Sequence, residues 1–321
     1  MKIRLTCIPK QPGEMVLFAQ TIEAVGLDGV GVADSPRLHG ATYPVVQHLL
    51  SVTSRIAVGP FVTNPLTRHP SVQAADLDAI ESLFPGRLFY GVGTGDSAVS
   101  SIGMKAAPAG QVADCIDVVH ERVGDRVPAL FAVGGPKAAA AVPPTAAGVI
   151  LGGGLDAAWS ASLADTAERS AGRALSRWGF LVSSLGPESS AERRRRQILG
   201  SVTTVARHAL AGDMKHKGVP VNLVAGLRDI FAAYDVAQHG RLDGPHHTML
   251  DRYPAHCDYL LNRFAVVDSN SSTVKRLDEY AASLGLEGFY LSSTVSDQPS
   301  HARHVGAKLV PGLTGSAARP T

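Results

Sequence analysis

The sequence predicts an α/β fold: a (β/α)8 barrel with a helical insertion between its seventh and eighth barrel strands. Three observations carry this. Short apolar runs rich in Val, Ile and aromatics recur along the chain, and they read as strands buried on both faces. Most of these runs feed a segment with helical period. The runs also end in polar or Gly-rich residues, the side on which parallel α/β folds bind their ligands. An open, doubly wound sheet is the alternative architecture.

Taken in order, residues 3–8 read as the first strand and 14–25 as a helix closed by Gly26. Residues 29–33 form the second strand, which ends in Asp34-Ser35-Pro36-Arg37-Leu38-His39-Gly40, and a helix spans 43–52. The clearest unit comes next. IAVGPFV (56–62) and LFYGVG (88–93) are strands, and between them Val72, Ala75, Leu77, Ala79, Ile80 and Leu83 mark a helix that Pro70 can open. The two strand ends, Thr63-Asn64-Pro65 and Gly93-Thr94-Gly95-Asp96-Ser97, are expected to touch one cofactor. A helix over 112–123 follows, then a strand over 129–133 ending in Gly134-Gly135-Pro136-Lys137 and an Ala-rich helix. A strand over 148–151 ends in Gly152-Gly153-Gly154, a helix covers 155–174, and the seventh strand covers 178–184.

The pattern then changes. From about 189 to 261 there are helices (191–211, 223–237) and a His-, Gly- and Pro-containing stretch (239–254), with no convincing strand. A short strand at 264–267, a helix over 273–284 and a strand at 288–292 complete the barrel pattern. Residues 1–310 are expected to form one domain including this insertion, and 311–321, rich in Gly, Ala, Pro and Ser, a disordered tail.

Composition narrows the class. With 45% hydrophobic and 18% charged residues, the chain has ample material for a large core. A net charge of +2 is too small to argue for nucleic acid. Cys7, Cys115 and Cys257 fit neither a disulfide framework nor a zinc cluster, which suits a reducing cytoplasm. The amino-terminal apolar run is too short for a signal peptide, and no apolar run reaches the roughly 18 residues a membrane helix needs.

Several constellations could carry chemistry. Gly91, Gly93 and Gly95 with Asp96 form a strand end where main-chain N–H groups can approach an anion or a planar ring. A dinucleotide fingerprint is the weaker account, because this is the fourth β-α unit and not the first; a simple tight turn is the plainer one. The consecutive ends at Gly134, Gly135 and Lys137, and at Gly153 and Gly154, suggest a main-chain cradle for phosphate. Asp34 is placed to accept a hydrogen bond from a ring or substrate, or else to cap a turn. His39 on the same loop is a candidate proton carrier, with a solvated side chain as the plainer account. His69 reads as a helix-cap residue. His239, His246, His247 and His256 fit no zinc spacing, and Arg193–Arg196 reads as a solvated helix face.

The block VGPFVTNPLTRHPSVQAADLDAIESLFPGRLFYGVGTGDSAVSSIG resembles the luciferase-like flavin/deazaflavin oxidoreductase superfamily, and most of all its F420-dependent methylenetetrahydromethanopterin reductase-like branch. GLDGVGVADSP, FAVGGPK with GVILGGG, AAYDVAQHGRLDGPH, RFAVVDS and GFYLSS extend the likeness over most of residues 1–295. The resemblance implies a (β/α)8 barrel with F420, or alternatively FMN, at the carboxyl ends of its strands. On it, Asp34 would lie beside the ring, and Val62 and Thr63 would form a bulge behind it that in F420 enzymes often holds a non-prolyl cis peptide, with Ser35 and Asn64 as further cofactor-binding candidates at the same strand ends. Gly95 and Asp96 would lie near ring and side chain, and Gly134, Gly135 and Lys137 would hold phosphate with Gly153 and Gly154 opposite. Two departures put the family's sugar-phosphate and alcohol reactions in doubt: Ser35 stands where those relatives have His, and Asp96 where they have Glu.

The expectation is therefore a reductase moving hydride from reduced F420 to a C=N or C=C bond of a small molecule, with Asp96 or His39 as proton donor. Such a donating Asp96 requires burial to raise its pKa. The alternatives are an FMN-dependent two-component monooxygenase and a cofactor-free binding protein. A homodimer and a separate cofactor-reducing enzyme are implied by the resemblance.

Overall fold

A computed structural model describes residues 1–9, 12–37, 39–235, 243–293 and 297–313. Its strands are β1 (Lys2–Cys7), β2 (Gly29–Val32), β3 (Ala57–Pro60), β4 (Tyr90–Val92), β5 (Ala129–Val133), β6 (Gly148–Leu151), β7 (Ser176–Ser183), β8 (Ala265–Val266) and β9 (Gly288–Ser292). They pair in parallel in the order β3-β2-β1-β9-β7-β6-β5-β4. Bridges Val58–Leu88 and Thr63–Val92 join the two ends and close an eight-stranded barrel. The closure is tight enough to need glycine: a Cβ at Gly59 would lie 2.0 Å from the Phe89 carbonyl oxygen. The predicted barrel and its count of strands are therefore observed.

β8, the short strand expected to help complete the barrel, stands outside the wall. It pairs with Val182 and Ser183 of β7, and at Val182 the other edge of β7 is taken by Ser292 of β9. β8 thus uses the edge that β6 vacates after its last pair, Leu151–Gly179. It roots the insertion on the barrel.

The interior of the barrel is filled. Phe61, Phe89, Leu130, Ile150, Trp178 and Tyr290 form their own cluster, with Phe61 and Tyr290 stacked at 4.1 Å. Below them the Arg4 guanidinium lies over Trp178 (4.3 Å) and Phe89 (4.6 Å) and donates to the Tyr290 hydroxyl. Space for a ligand is left at the carboxyl rim, as expected for this architecture. The insertion packs a separate core, including Ile198, Val202, Leu227, Ile230, Leu260 and Phe264, onto Val182 and Ala265.

Some elements differ from expectation. Helices Asp96–Ser100 and Pro245–Leu250 were not predicted, and the Ala-rich helix shrinks to Pro136–Ala139. The helix expected over 155–174 spans Ala157–Ala171, because Asp156 caps it through the Trp159 N–H (2.9 Å) and Gly172, at φ 69°, ends it. The arginine run is not a solvated face. Arg194 is buried and donates to the Ser184 and Pro187 carbonyls, while Arg195 and Arg196 pair with Asp258 and Asp251. At the carboxyl end Val310–Gly312 is a 3-10 turn and Leu313 is buried; residues 314–321 lie outside the described residues. Among the described residues, no helix is long and apolar enough to cross a membrane.

Candidate active site

The β2, β3 and β4 ends converge on a buried polar network. Asp34 is buried, and its Oδ2 accepts from the Thr63 hydroxyl (2.6 Å). Its Oδ1 lies 3.1 Å from the Thr42 hydroxyl, which also reaches the Ala33 carbonyl at 2.8 Å. Beneath Thr63, the Gln73 Oε1 accepts from the Tyr43 and Tyr90 hydroxyls (3.0 and 2.9 Å). Its Nε2 donates to the Asn64 and Arg68 carbonyls (2.9 and 2.8 Å). Two carbonyl acceptors on one side fix which way this amide points. Burial pushes both phenols well up from their ordinary range, so they stay protonated and donate to Gln73. With that oxygen filled, the single Thr63 proton goes to Asp34.

The bulge after β3 contains a cis peptide between Phe61 and Val62, at the place the resemblance indicated. Asn64 is fully buried. Its Oδ1 accepts from the Leu66 and Thr67 N–H groups, which turns the chain into the helix that His69 caps by accepting from the Ser71 N–H. Gly95 packs on that turn: it has φ +77°, and a Cβ there would lie 2.5 Å from the Asn64 Cβ. Thr63, Asn64 and Gly95 are thus brought together at the rim.

Asp96 behaves differently from the expectation. It does not sit in an apolar pocket but accepts from Arg207 (3.2 Å) and His208 (2.9 Å), both near the end of insertion helix Ala191–Ala209. The His208 hydrogen bond, helped by the Arg207 charge, holds its carboxyl below the usual carboxylate range despite partial burial. A carboxylate held this way is ionised at neutral pH and is not a proton donor. Its partners tie the insertion across the rim to the β4 end. His39 is half-buried, and its N–H donates to the Ser35 carbonyl (2.9 Å).

The two glycine-rich ends also part ways. A Cβ at Gly134 or Gly135 would meet no atom within 4 Å, and Lys137 beside them is exposed. Gly153 and Gly154 do not face open space. A Cβ at Gly153 would meet Trp159 and Ser160 at 2.9 Å, and one at Gly154 would meet the Arg263 carbonyl oxygen at 2.6 Å. The expected two-sided cradle is therefore open on the β5 side, while Gly153 and Gly154 are covered.

Sequence reasoning missed part of the site. A pocket of about 240 Å³ opens at the rim, lined by the ends of β1, β2, β3 and β9 and by Phe180 of β7. Its walls include Asp34, Ser35, Phe61, Val62, Ser292 and Ser293. Ser293 is 1% exposed, and its hydroxyl has no hydrogen-bond partner among the described residues. Nearby, His301 is also buried. Its Nδ1 accepts from the Leu185 N–H (2.9 Å), so Nε2 carries the proton and faces the Ser183 hydroxyl (3.0 Å). Burial pushes its pKa down to about 4. Only the aligned β7 and β9 ends bring these residues together, and no local pattern marks them.

A flat ring with polar edges fits this pocket: the floor is aromatic, one wall holds an acceptor carboxylate and another an orphaned hydroxyl. The unfilled space at Gly134 and Gly135 suits an attached anion. Among the described residues no group of three His, Cys, Asp or Glu could hold a metal ion; His239 lies outside them.

Comparison with known proteins gives the family and the fold. Residues 4–287 match the family described as luciferase-like monooxygenase. Over 47 residues the chain is 43% identical to 5,10-methylenetetrahydromethanopterin reductase of Methanopyrus kandleri, covering 15% of this chain and 14% of that protein. Over 94 residues it is 36% identical to the F420-dependent glucose-6-phosphate dehydrogenase of Mycobacterium avium, covering 27% of this chain and 28% of that one. These matches thus span less than a third of either relative. The fold is similar over nearly the whole chain to the coenzyme F420-dependent tetrahydromethanopterin reductase of M. kandleri (TM-score 0.72, 15% identity, 97% and 98% of the two chains). It is also similar to the EDTA monooxygenase of Chelativorans sp. (TM-score 0.64, 11% identity, 100% and 95%).

Proposed function

The chain belongs to the luciferase-like monooxygenase family, and on that premise we propose that it is an F420-dependent oxidoreductase that reduces a C=N or C=C bond of a small molecule. The observation that carries this reading is the rim pocket, with its aromatic floor, its held Asp34 and open glycine space on the β5 side. When bound, reduced F420 would supply the two electrons as a hydride, and the reduction needs one further proton. Asp34, held by Thr63 and Thr42, accepts from the ring edge, with Ser35 beside it. Val62, Thr63 and Asn64 back the ring, and Gly95 lets the β4 end close against them. Gly134 and Gly135 receive the phosphate through main-chain N–H groups, and Lys137 adds a screened charge. Gly153 and Gly154 contribute by holding the insertion in place.

Asp96, as an ionised carboxylate, positions the insertion over the substrate and leaves His39 as the candidate proton donor. F420 is preferred because the glucose-6-phosphate dehydrogenase with overlapping sequence is F420-dependent by name. The monooxygenase likeness supports FMN with oxygen as the second reading. On the preferred reading the protein is a cytoplasmic homodimer whose cofactor is reduced by a separate enzyme. An anaerobic assay with reduced F420 and a panel of imines and α,β-unsaturated compounds tests the activity. Substrate-dependent return of oxidised F420 is expected; oxygen uptake with reduced FMN, and no F420 turnover, would establish the second reading instead.

A further inference from the structure

Ser293 follows β9 and lines the rim pocket together with Asp34 and Val62. Four hydroxyl side chains line the pocket, Thr6, Ser35, Ser292 and Ser293, and among them only that of Ser293 is fully buried without a hydrogen-bond partner among the described residues. The carbonyl of Ser293 accepts from Gln298 (3.4 Å), while its hydroxyl has no partner among the described residues. A buried hydroxyl without a partner bears its full desolvation cost, and native proteins keep few of them. One kept in a pocket wall is matched by the ligand. Water can stand in, but a ligand that displaces it must replace the bond or lose affinity.

The pocket walls narrow the chemistry of that ligand. Among the described residues they hold one carboxylate, Asp34, and no Lys, Arg or His. Burial pushes the Cys7 thiol on the same wall up, so it stays neutral. An anionic fragment would face Asp34 with no cation to offset it. A purely apolar one would strand both Asp34 and Ser293. Asp34 and Ser293 follow β2 and β9, which flank β1, so about two strand spacings, ~10 Å, separate their chains. A fused ring system with N–H and C=O groups spread along its edges spans this; a small lactam does not.

We propose that Ser293 is a ligand-binding residue whose hydroxyl donates to a carbonyl of a neutral, lactam-bearing fused ring seated in the rim pocket. This rests on the cofactor reading above and adds the atom from β9 that orients the ring. The assignment makes two independent demands. Removing the hydroxyl must weaken ring binding, and it must leave the ligand-free protein no less stable, because no internal bond is lost.

The experiment compares wild type with Ser293→Ala. Binding of F420 and of FMN is followed by fluorescence, ring carbonyl stretches by difference infrared spectroscopy, and the stability of the ligand-free protein by denaturant unfolding. The expected result is a loss of affinity of about tenfold, a carbonyl band moved to higher frequency and an unchanged or slightly higher unfolding midpoint. Equal affinity with unmoved carbonyl bands would overturn the assignment while leaving the cofactor reading intact. So would a lowered midpoint with unchanged binding, since the hydroxyl would then have an internal partner. Failure of wild type to bind either ring would overturn both readings together.

Discussion

Two adjacent strand ends, residues 134–135 after β5 and 152–154 after β6, are equally rich in glycine and use it in opposite ways. At Gly134 and Gly135 the missing side chains leave room. At Gly153 and Gly154 the room is taken by Trp159, Ser160, Arg263 and Phe264, and Gly154 holds φ +70°. Glycine in a sequence reports that a Cβ is absent; what occupies the space instead is decided elsewhere in the chain. At Gly153 it is the first turn of helix Ala157–Ala171, and at Gly154 the distant end of helix Pro254–Phe264, whose Arg263 also donates to the Gly153 carbonyl (3.1 Å) and pairs with Asp156 (3.2 Å).

The comparison breaks first at Gly154. Gly154→Ala combines a left-handed backbone with a collision against the Arg263 carbonyl, and should cost about 2–4 kcal/mol in denaturant unfolding. A near-neutral result would mean that the β6 end is as free as the β5 end. Next is Arg263→Met. Arg263 is 6% exposed, and losing it removes the partner of the Asp156 Oδ2 and of the Gly153 and Lys217 carbonyls, for about 3 kcal/mol. On the open side the effects should move from stability to binding. Gly135 has an extended backbone at φ −172°, so Gly135→Val should change stability by less than about 0.5 kcal/mol. The same change should weaken cofactor binding about tenfold in a fluorescence titration. Lys137→Ala should have the smallest effect, a few-fold loss that fades as salt rises.

A pH test separates the rim's buried histidine from these glycines. His301 has a folded pKa near 4, below its unfolded value of about 6.5. The unfolded chain binds the extra proton between those values, so stability is fully present above about pH 6.5 and falls as pH drops toward 4, by roughly 1 kcal/mol per unit. His301→Asn, which keeps an acceptor for the Leu185 N–H, should flatten that limb; an unchanged slope would show that other groups set it.

How much was legible follows the range of the interaction. The strands at 129–133 and 148–151 were readable to the residue because each is a short apolar run bounded by punctuation. Asn64, Thr63 and Gly95 were readable as rim residues because strand ends carry them. The helix Pro245–Leu250 was hidden by its polar, His-rich composition, and Asp156 trimmed the helix after β6 by a side-chain cap. The errors at the site all involve distant partners. Asp96 meets helix residues 111 and 112 positions away, and those residues, not its own neighbours, fix its charge. Gln73 lies on a helix whose pattern suggests a surface position, yet it is fully buried because Tyr43 and Tyr90 point at it. Ser293 carries no signal at all before β9 is set beside β1.

The central claim is that this rim holds a tricyclic redox cofactor, with F420 preferred over FMN. Equilibrium titration of the purified protein with each cofactor separately, followed by fluorescence, tests it most directly. The account predicts saturable binding of both, with F420 tighter; FMN binding as tightly as F420, or neither binding, would contradict it.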